Sequence, residues 1–311
     1  MMQYYVSQMI DTYSPMLKEE LRTNPINMDI VLEGGAFNGG YLTGCLVYLQ
    51  ELEKKRYINI HKISACSVSS LLSLGHFIKD KINLLEINEL IYEIAYSQFK
   101  KKGDMNIFEK VFEIFKKYIT KDTLQLINNR LYITYYNIHS GKQIVICKYK
   151  SVDYLLDVIR RTCSFPFIID KNLSYKNKYI DGMYPYVFPS NANPSNQILY
   201  INLHHYNYIL GAIYIKNEKT NTKRIFTGLI DIHTFFVHNK TTEFCSYVHT
   251  WSVWKHIDYY FFLIIINIFA ILFNKMFIIH KLLNQSIENN NINMLKLIKC
   301  VSNYIIKNYC V

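Results

Sequence analysis

The chain has 311 residues, 50% of them apolar, with 35 Lys and Arg against 24 Asp and Glu. This excludes a disordered chain and leaves room for one large α/β domain or two smaller ones. The net charge of +11 suits an anionic surface, but the basic residues are scattered, with no basic run among stacking aromatics, so no nucleic-acid partner is expected.

Residues 1–27 read as an amphipathic helix (Tyr5, Met9, Ile10, Tyr13, Met16, Leu17) and a turn at Asn24-Pro25. Met28-Asp29-Ile30-Val31-Leu32 is an apolar run of strand length. Glu33-Gly34-Gly35-Ala36-Phe37-Asn38-Gly39-Gly40 comes directly after it. Tyr41, Leu42, Cys45, Leu46, Tyr48, Leu49 and Leu52 then recur at helical spacing. A second unit repeats the layout: the strand Ile58 to Ser64, the tight turn Ala65-Cys66-Ser67-Val68-Ser69, and a helix through Leu71, Leu72, Leu74, Phe77 and Ile78. Strand, turn and helix twice over predict a mainly parallel sheet with helices on both faces.

Residues 83–127 read as two or three helices. Leu131 to Ile138 and Gln143 to Tyr149 form a hairpin pattern. Val152 to Arg161 is a helix, broken at Cys163 to Phe167 because Pro166 disfavours helical geometry at Phe165. Lys178 to Ile180 is a short strand ending at Asp181-Gly182. Gln197 to Leu203 is another, and Ile209 to Ile215 is expected to be one more. From Ile225 the pattern is long, helical and aromatic. Its most apolar stretch, Tyr259 to Ile279, is 21 residues long, enough to span a bilayer but interrupted by Asn267, Asn274 and Lys275. Met294, Leu295, Ile298, Val301 and Ile305 predict a last amphipathic helix.

Seven cysteines (Cys45, Cys66, Cys147, Cys163, Cys245, Cys300, Cys310) show no paired spacing. They predict reduced thiols inside a cell and no zinc site. Met1 to Met16 lacks the basic start and apolar run of a signal peptide, so none is expected.

Glycines between a strand and a helix let backbone N–H groups point at a negative charge, helped by the helix dipole. A phosphate, a dinucleotide or a catalytic oxyanion would all fit. The loop lacks a following Lys-Ser/Thr, and no acid ends the next strand to hold a ribose, which disfavours a nucleotide. Ser67 lies between a buried strand and a helix with small residues two positions away on each side, the layout of a nucleophile elbow. Its alternative reading is a cap for the next helical turn. In a parallel sheet the two turns share the carboxyl edge, where the first loop can hold an oxyanion formed at Ser67. Asp181 is the preferred base: a buried Asp can take a serine proton directly, although Asp-Gly is also a common turn pair. His204 and His205 follow a strand without a matching acid. Cys66 reads as the small filler before the nucleophile.

Together these places resemble the patatin-like phospholipase family over residues 28–205. Gly34 to Gly39 is similar to that family's G-G-G-x-R/K-G oxyanion loop, with Tyr41 and Gly44 also in place. Ala65 to Ser69 stands at its G-x-S-x-G motif and Asp181-Gly182 at its D-G-G/A motif. Ile159 to Phe167 resembles the ordered stretch before that Asp. Ala36, Asn38, Ser69 and Met183 depart from the pattern. The resemblance implies a three-layer α/β/α fold with a mainly parallel central sheet. It also implies a lipid acyl hydrolase in which Ser67 is the nucleophile, Asp181 its base, and Gly34, Gly35, Ala36, Asn38 and Gly39 form the oxyanion loop. No metal or organic cofactor is implied, and the substrate is a phospholipid or other lipid ester.

The expected organisation is an N-terminal helical segment (1–27), the hydrolase domain (28–215) and a C-terminal helical extension (216–311). Residues 259–279 are the expected membrane-contacting segment of an intracellular, membrane-associated protein. The alternatives are a non-catalytic, membrane-associated lipid-binding or scaffolding protein and, third, a nucleotide-binding protein. Oligomeric state is left open.

Overall fold

The apolar run before the glycine loop forms β1 (Ile26–Leu32). Met28, Ile30, Val31 and Leu32 are fully buried, as a strand covered on both faces must be. The computed structural model describes residues 2–17, 24–189, 196–204, 208–216, 218–286, 300–301, 304 and 310. Beside β1, β2 (Ile58–Ala65) and β6 (Gln197–Ile201) run parallel to it, one on each side. The sheet has seven strands, mostly parallel at its centre, in the order β4-β3-β2-β1-β6-β7. Here β3 is Leu131–Asn137, β4 Lys142–Ile146 and β7 Cys245–Tyr247. The hairpin strand β4 and the edge strand β7 are antiparallel to their neighbours. So is the two-residue β5 (Tyr179–Ile180), which pairs with the far end of β3.

From β1 the chain steps outward to β2 and β3 and later returns to the opposite side of β1 as β6. The carboxyl end of β1 is therefore a topological switch point, where α/β sheets leave a crevice for ligands. The glycine loop occupies that place.

The helices are α1 (Met2–Tyr13), α2 (Gly39–Lys54), α3 (Val68–Phe77), α4 (Leu84–Lys102), α5 (Phe108–Lys116), α6 (Lys121–Ile127), α7 (Val152–Thr162), α8 (Thr222–His238) and α9 (Val253–Ser286). Their boundaries carry local signals. Asn83 caps α4 by accepting the Leu85 N–H at 2.9 Å, and Gly103 ends it at φ 68°. Ser151 caps α7 by accepting the Tyr154 N–H at 3.1 Å. Alternation along the strands feeds two apolar clusters. Ile30, Leu32, Leu199 and Ile201 join the main helix-covered core. Val31, Ile198 and Tyr200 face a second cluster closed by Phe188, Trp251 and Tyr259, that is, by a loop and the first turns of α9.

Several expectations shift. Residues 209–215 are not a strand: Ile209–Ala212 is a 3-10 turn. The core continues past residue 215, because β7 extends the sheet and α8 packs on α2 at Gly44 and Gly228. A Cβ on Gly44 would overlap the Ile225 carbonyl, and one on Gly228 the Tyr41 carbonyl. In α1 the buried side chains are Val6 and Ile10, while Tyr5 is exposed. His205 and, apart from Val301, the residues of the expected last helix lie outside the described residues.

Candidate active site

The elbow forms because β2 ends at Ala65 and α3 starts at Val68, leaving Cys66 and Ser67 to turn the chain. Ser67 takes φ 54° and ψ −136°, a backbone state that costs a non-glycine residue about 1–3 kcal/mol and persists only where its surroundings hold it. The holding bonds are visible. The Ser67 N–H donates to Thr162 Oγ1 at 2.8 Å, and Thr162 Oγ1 donates to the Thr134 carbonyl at 2.5 Å. Ser69 Oγ accepts the Cys66 N–H at 2.9 Å and has the carbonyls of Cys66 and Leu32 in reach at 2.6 and 3.1 Å. The β-carbon that Ser69 adds where the family pattern has glycine thus carries a hydroxyl that ties the elbow to β1. The Ser67 side chain makes no capping bond to α3, so the cap reading is not realised and its hydroxyl stays free for the site.

Asp181 reaches the elbow through β5. Ile180 pairs with Tyr136 in an antiparallel register, which brings Gly182 against Thr134 and the Cys66 Cβ. The Asp181 N–H donates to the Ser164 carbonyl at 3.0 Å and the Gly182 N–H to the Thr162 carbonyl at 3.3 Å. The carboxyl is 2% exposed. Its Oδ1 accepts the Met183 N–H at 2.7 Å. The Ser67 hydroxyl is near enough to favour the ionised carboxylate, and Oδ2 has no hydrogen-bond partner among the described residues. Burial pushes the Asp181 pKa up to about 6, against the opposing pull of the Met183 N–H, Ser67 and His204. A base near neutrality suits proton transfer at physiological pH.

The glycine loop closes over the same point. Gly34 lies against Ser67, where a Cβ would come 2.7 Å from the Ser67 Cβ. Within the loop the Asn38 N–H donates to the Gly35 carbonyl at 2.8 Å and the Gly39 N–H to the carbonyls of Ala36 and Phe37. The N–H groups of Gly34, Gly35 and Ala36 have no backbone acceptor among the described residues. Ala36 holds φ 45° and Met183 φ 52°; the family pattern has glycine at the first of these positions and glycine or alanine at the second.

The Asn38 amide, expected in the oxyanion loop, is engaged away from Ser67. Its Nδ2 donates to the carbonyls of Tyr208 (2.9 Å) and Leu203 (3.3 Å), and its Oδ1 accepts from Arg224 Nη1 at 2.8 Å. Arg224, from α8, is 2% exposed. It also bonds the Gly211 and Tyr214 carbonyls and the Glu218 carboxylate. Where the family pattern has a basic residue in the loop, this chain has an amide backed by an arginine from 186 residues away.

Sequence reasoning missed a second buried pair. Glu33, between β1 and the glycines, is 3% exposed. It accepts the Tyr200 hydroxyl at 2.5 Å and the N–H groups of Leu203 and His204 at 2.7 and 2.9 Å. His204 Nδ1 lies 3.0 Å from Glu33 Oε2, off the line of an ideal N–H bond. His204 therefore has the matching acid that its sequence neighbours do not supply. The only signal available was a lone carboxylate at the end of a buried strand, which demands a partner.

Ser67, Asp181, Gly35 and His204 open into one cavity of about 470 Å³. Its other walls are mainly apolar, from Leu71 of α3 and Ile91 and Tyr92 of α4 to Phe262, Ile266 and Phe269 of α9, with the amides of Asn88 and Asn221 among them. A separate cleft of about 560 Å³ between α1 and α2 is lined by Glu51, Glu53, Lys54 and Lys79 and contains none of these groups. Among the described residues no set of three His, Cys, Asp or Glu side chains is arranged to hold a metal ion. No family model matches this chain, and no curated protein matches it.

Proposed function

We propose that this protein is a lipid acyl hydrolase of patatin-like architecture, with Ser67 as nucleophile and Asp181 as base. The observation that carries the reading is the strained Ser67 turn beside the partnerless Oδ2 of Asp181, both at the polar end of an apolar cavity. Asp181 takes the Ser67 proton as Oγ attacks the ester carbonyl. The N–H groups of Gly34, Gly35 and Ala36 receive the developing oxyanion, a role in which one donor is typically worth about 10²–10³ in rate. Collapse releases the alcohol and leaves an acyl-serine, which water then cleaves. Catalytic hydrogen bonds commonly tighten only around substrate, so the loose Ser67–Asp181 contact suits this role. The apolar walls fit an acyl chain.

The same cavity suggests how substrate arrives. Val253–Leu272 of α9 is long and apolar enough to cross a membrane. Phe262, Ile266 and Phe269 line the cavity; Ile266 is buried, whereas Phe262 and Phe269 are about half exposed, as are Phe261, Ile264 and Ile268, which do not line it. A helix that roofs a site on one side and shows apolar side chains on the other is suited to lie in a bilayer interface. We therefore read the partner as a membrane surface.

The test compares the purified full chain with Ser67→Ala on p-nitrophenyl butyrate. Turnover should fall by about 10³-fold or more in the variant. Equal turnover by both proteins overturns the hydrolase reading and leaves the lipid-binding alternative.

A further inference from the structure

The Glu33–His204 pair has no part in a Ser-Asp dyad, yet it is built as a catalytic pair is built. Three donors fix the Glu33 carboxylate: the Tyr200 hydroxyl and the N–H groups of Leu203 and His204. His204 Nδ1 lies 3.0 Å from this carboxylate, off the line of an ideal N–H bond. The imidazole face is packed on the Tyr184 ring, with centroids 5.2 Å apart and 28° between planes. Tyr184 itself follows Asp181 by three residues. The ring, with Nδ1 beside the carboxylate and one face on Tyr184, lines the cavity together with Ser67 and Asp181, which leaves Nε2 as the nitrogen available for proton transfer. Carboxylate-backed imidazoles of this kind are fixed in tautomer and direction by the acid behind them.

We propose that His204, oriented by Glu33, is the general acid–base group of the leaving-alcohol side of the reaction, working opposite Asp181. The proposal rests on the hydrolase reading. In acylation, Asp181 accepts the Ser67 proton as the Oγ–carbon bond forms. The ester C–O bond breaks, and the departing alkoxide takes the proton from Nε2 of the imidazolium. In deacylation, the neutral imidazole accepts a proton from the attacking water, whose oxygen bonds to the acyl carbon. The Oγ–carbon bond then breaks, and Asp181 returns its proton to Ser67. One water enters, one acid leaves, and both groups regain their starting states.

The surrounding charges favour this cycle. Burial alone would disfavour the imidazolium, but Glu33 foremost and Asp181 more weakly raise the His204 pKa above its ordinary value. The other titratable neighbours are neutral or remote: burial holds the Cys66 thiol and the Tyr184, Tyr200 and Tyr259 phenols in their protonated forms. Lys255, whose ammonium burial disfavours, acts on Glu33. Glu33 itself is pushed up by burial but held below the usual carboxylate range by His204 and Tyr200.

A nitrophenolate departs without a proton, whereas an alkoxide needs one, so leaving-group dependence isolates the step. Wild type and His204→Gln are compared on p-nitrophenyl butyrate and ethyl butyrate. The alkyl-to-aryl ratio of kcat/KM should fall about 10²-fold or more in the variant, the usual worth of a general acid. An unchanged ratio overturns the proposal even where both rates fall. A wild type inactive on both esters overturns the hydrolase reading, and the proposal with it. NMR titration of the His204 ring in wild type and Glu33→Gln gives a readout independent of turnover. A pKa above that of a free imidazole, lost in the variant, supports the pair. A wild-type value at or below that of a free imidazole overturns it.

Discussion

Gly34 and Ser67 approach so closely that a single methyl group on the first would sit 2.7 Å from the β-carbon of the second. The glycine loop and the Ser67 turn are therefore one packed unit.

Gly34→Ala tests that contact. The added carbon also meets the Cys66 carbonyl at 3.3 Å, so the turn itself has to yield. Overpacking of this kind costs about 1–3 kcal/mol, and ester turnover should fall at least tenfold as Ser67 leaves its strained backbone state. Thermal melts and kinetics on one preparation check both. A variant with unchanged Tm and rate would show that the two turns are not coupled.

Ala36 and Met183 hold φ 45° and 52°, in the left-handed region that penalises a side chain. Replacing either by Gly removes about 1–2 kcal/mol of strain, against about 0.5–1 kcal/mol of extra chain entropy in the unfolded state. Each variant should be as stable as wild type or more stable by up to about 1 kcal/mol, read from urea midpoints. A marked loss of stability would mean that the side chains contribute packing that outweighs their strain.

The buried Asp181 carboxyl gives a pH signature. Its pKa is raised from 3.8 to about 6 in the folded protein, so folding is easiest with the proton on. The resulting destabilisation is absent below pH 3.8, grows as pH rises toward about 6, and is present in full above that. It corresponds to about 3 kcal/mol. Asp181→Asn should therefore gain stability at pH 7 but not at pH 4, and should lose ester turnover. In wild type, kcat/KM should rise with pH as Asp181 ionises near pH 6. Identical stability of the two proteins at pH 7 would count against the assignment.

The outward face of α9 predicts a separable defect. Phe261, Ile264 and Ile268 are exposed and do not line the cavity. The triple replacement Phe261→Ser, Ile264→Ser, Ile268→Ser should weaken sedimentation with phosphatidylglycerol-containing vesicles by at least tenfold. Hydrolysis of a soluble short-chain ester should be retained. Undiminished vesicle binding would remove α9 as the membrane contact.

Much of the sheet was legible because its signals are local. Met28 to Leu32 and Ile58 to Ser64 are apolar runs succeeded at once by turn residues and helical spacing, and both form central parallel strands. The features that escaped depend on distant partners. β7 has three residues and exists through pairing with β6. Residues 209–212 turn instead of extending, and the Gly211 carbonyl there accepts a bond from Arg224. Asn38 resembles a free donor until the carbonyls of Leu203 and Tyr208 and the Arg224 guanidinium are seen around it. Glu33 and His204 are 171 residues apart, and no periodicity reveals that one completes the other.

The glycine crossing of α2 and α8 sets an order in time. Gly44 and Gly228 put the two helix backbones in direct contact, and the glycine loop leads directly into α2. Arg224, one turn before Gly228, grips Asn38 inside that loop. The loop near residue 35 is thus braced by groups that leave the ribosome nearly 190 residues later. A growing chain can hold Ser67 and its strand long before it holds the surface that would receive the oxyanion. Completion of the braced glycine loop is in this sense a late event in the making of the molecule.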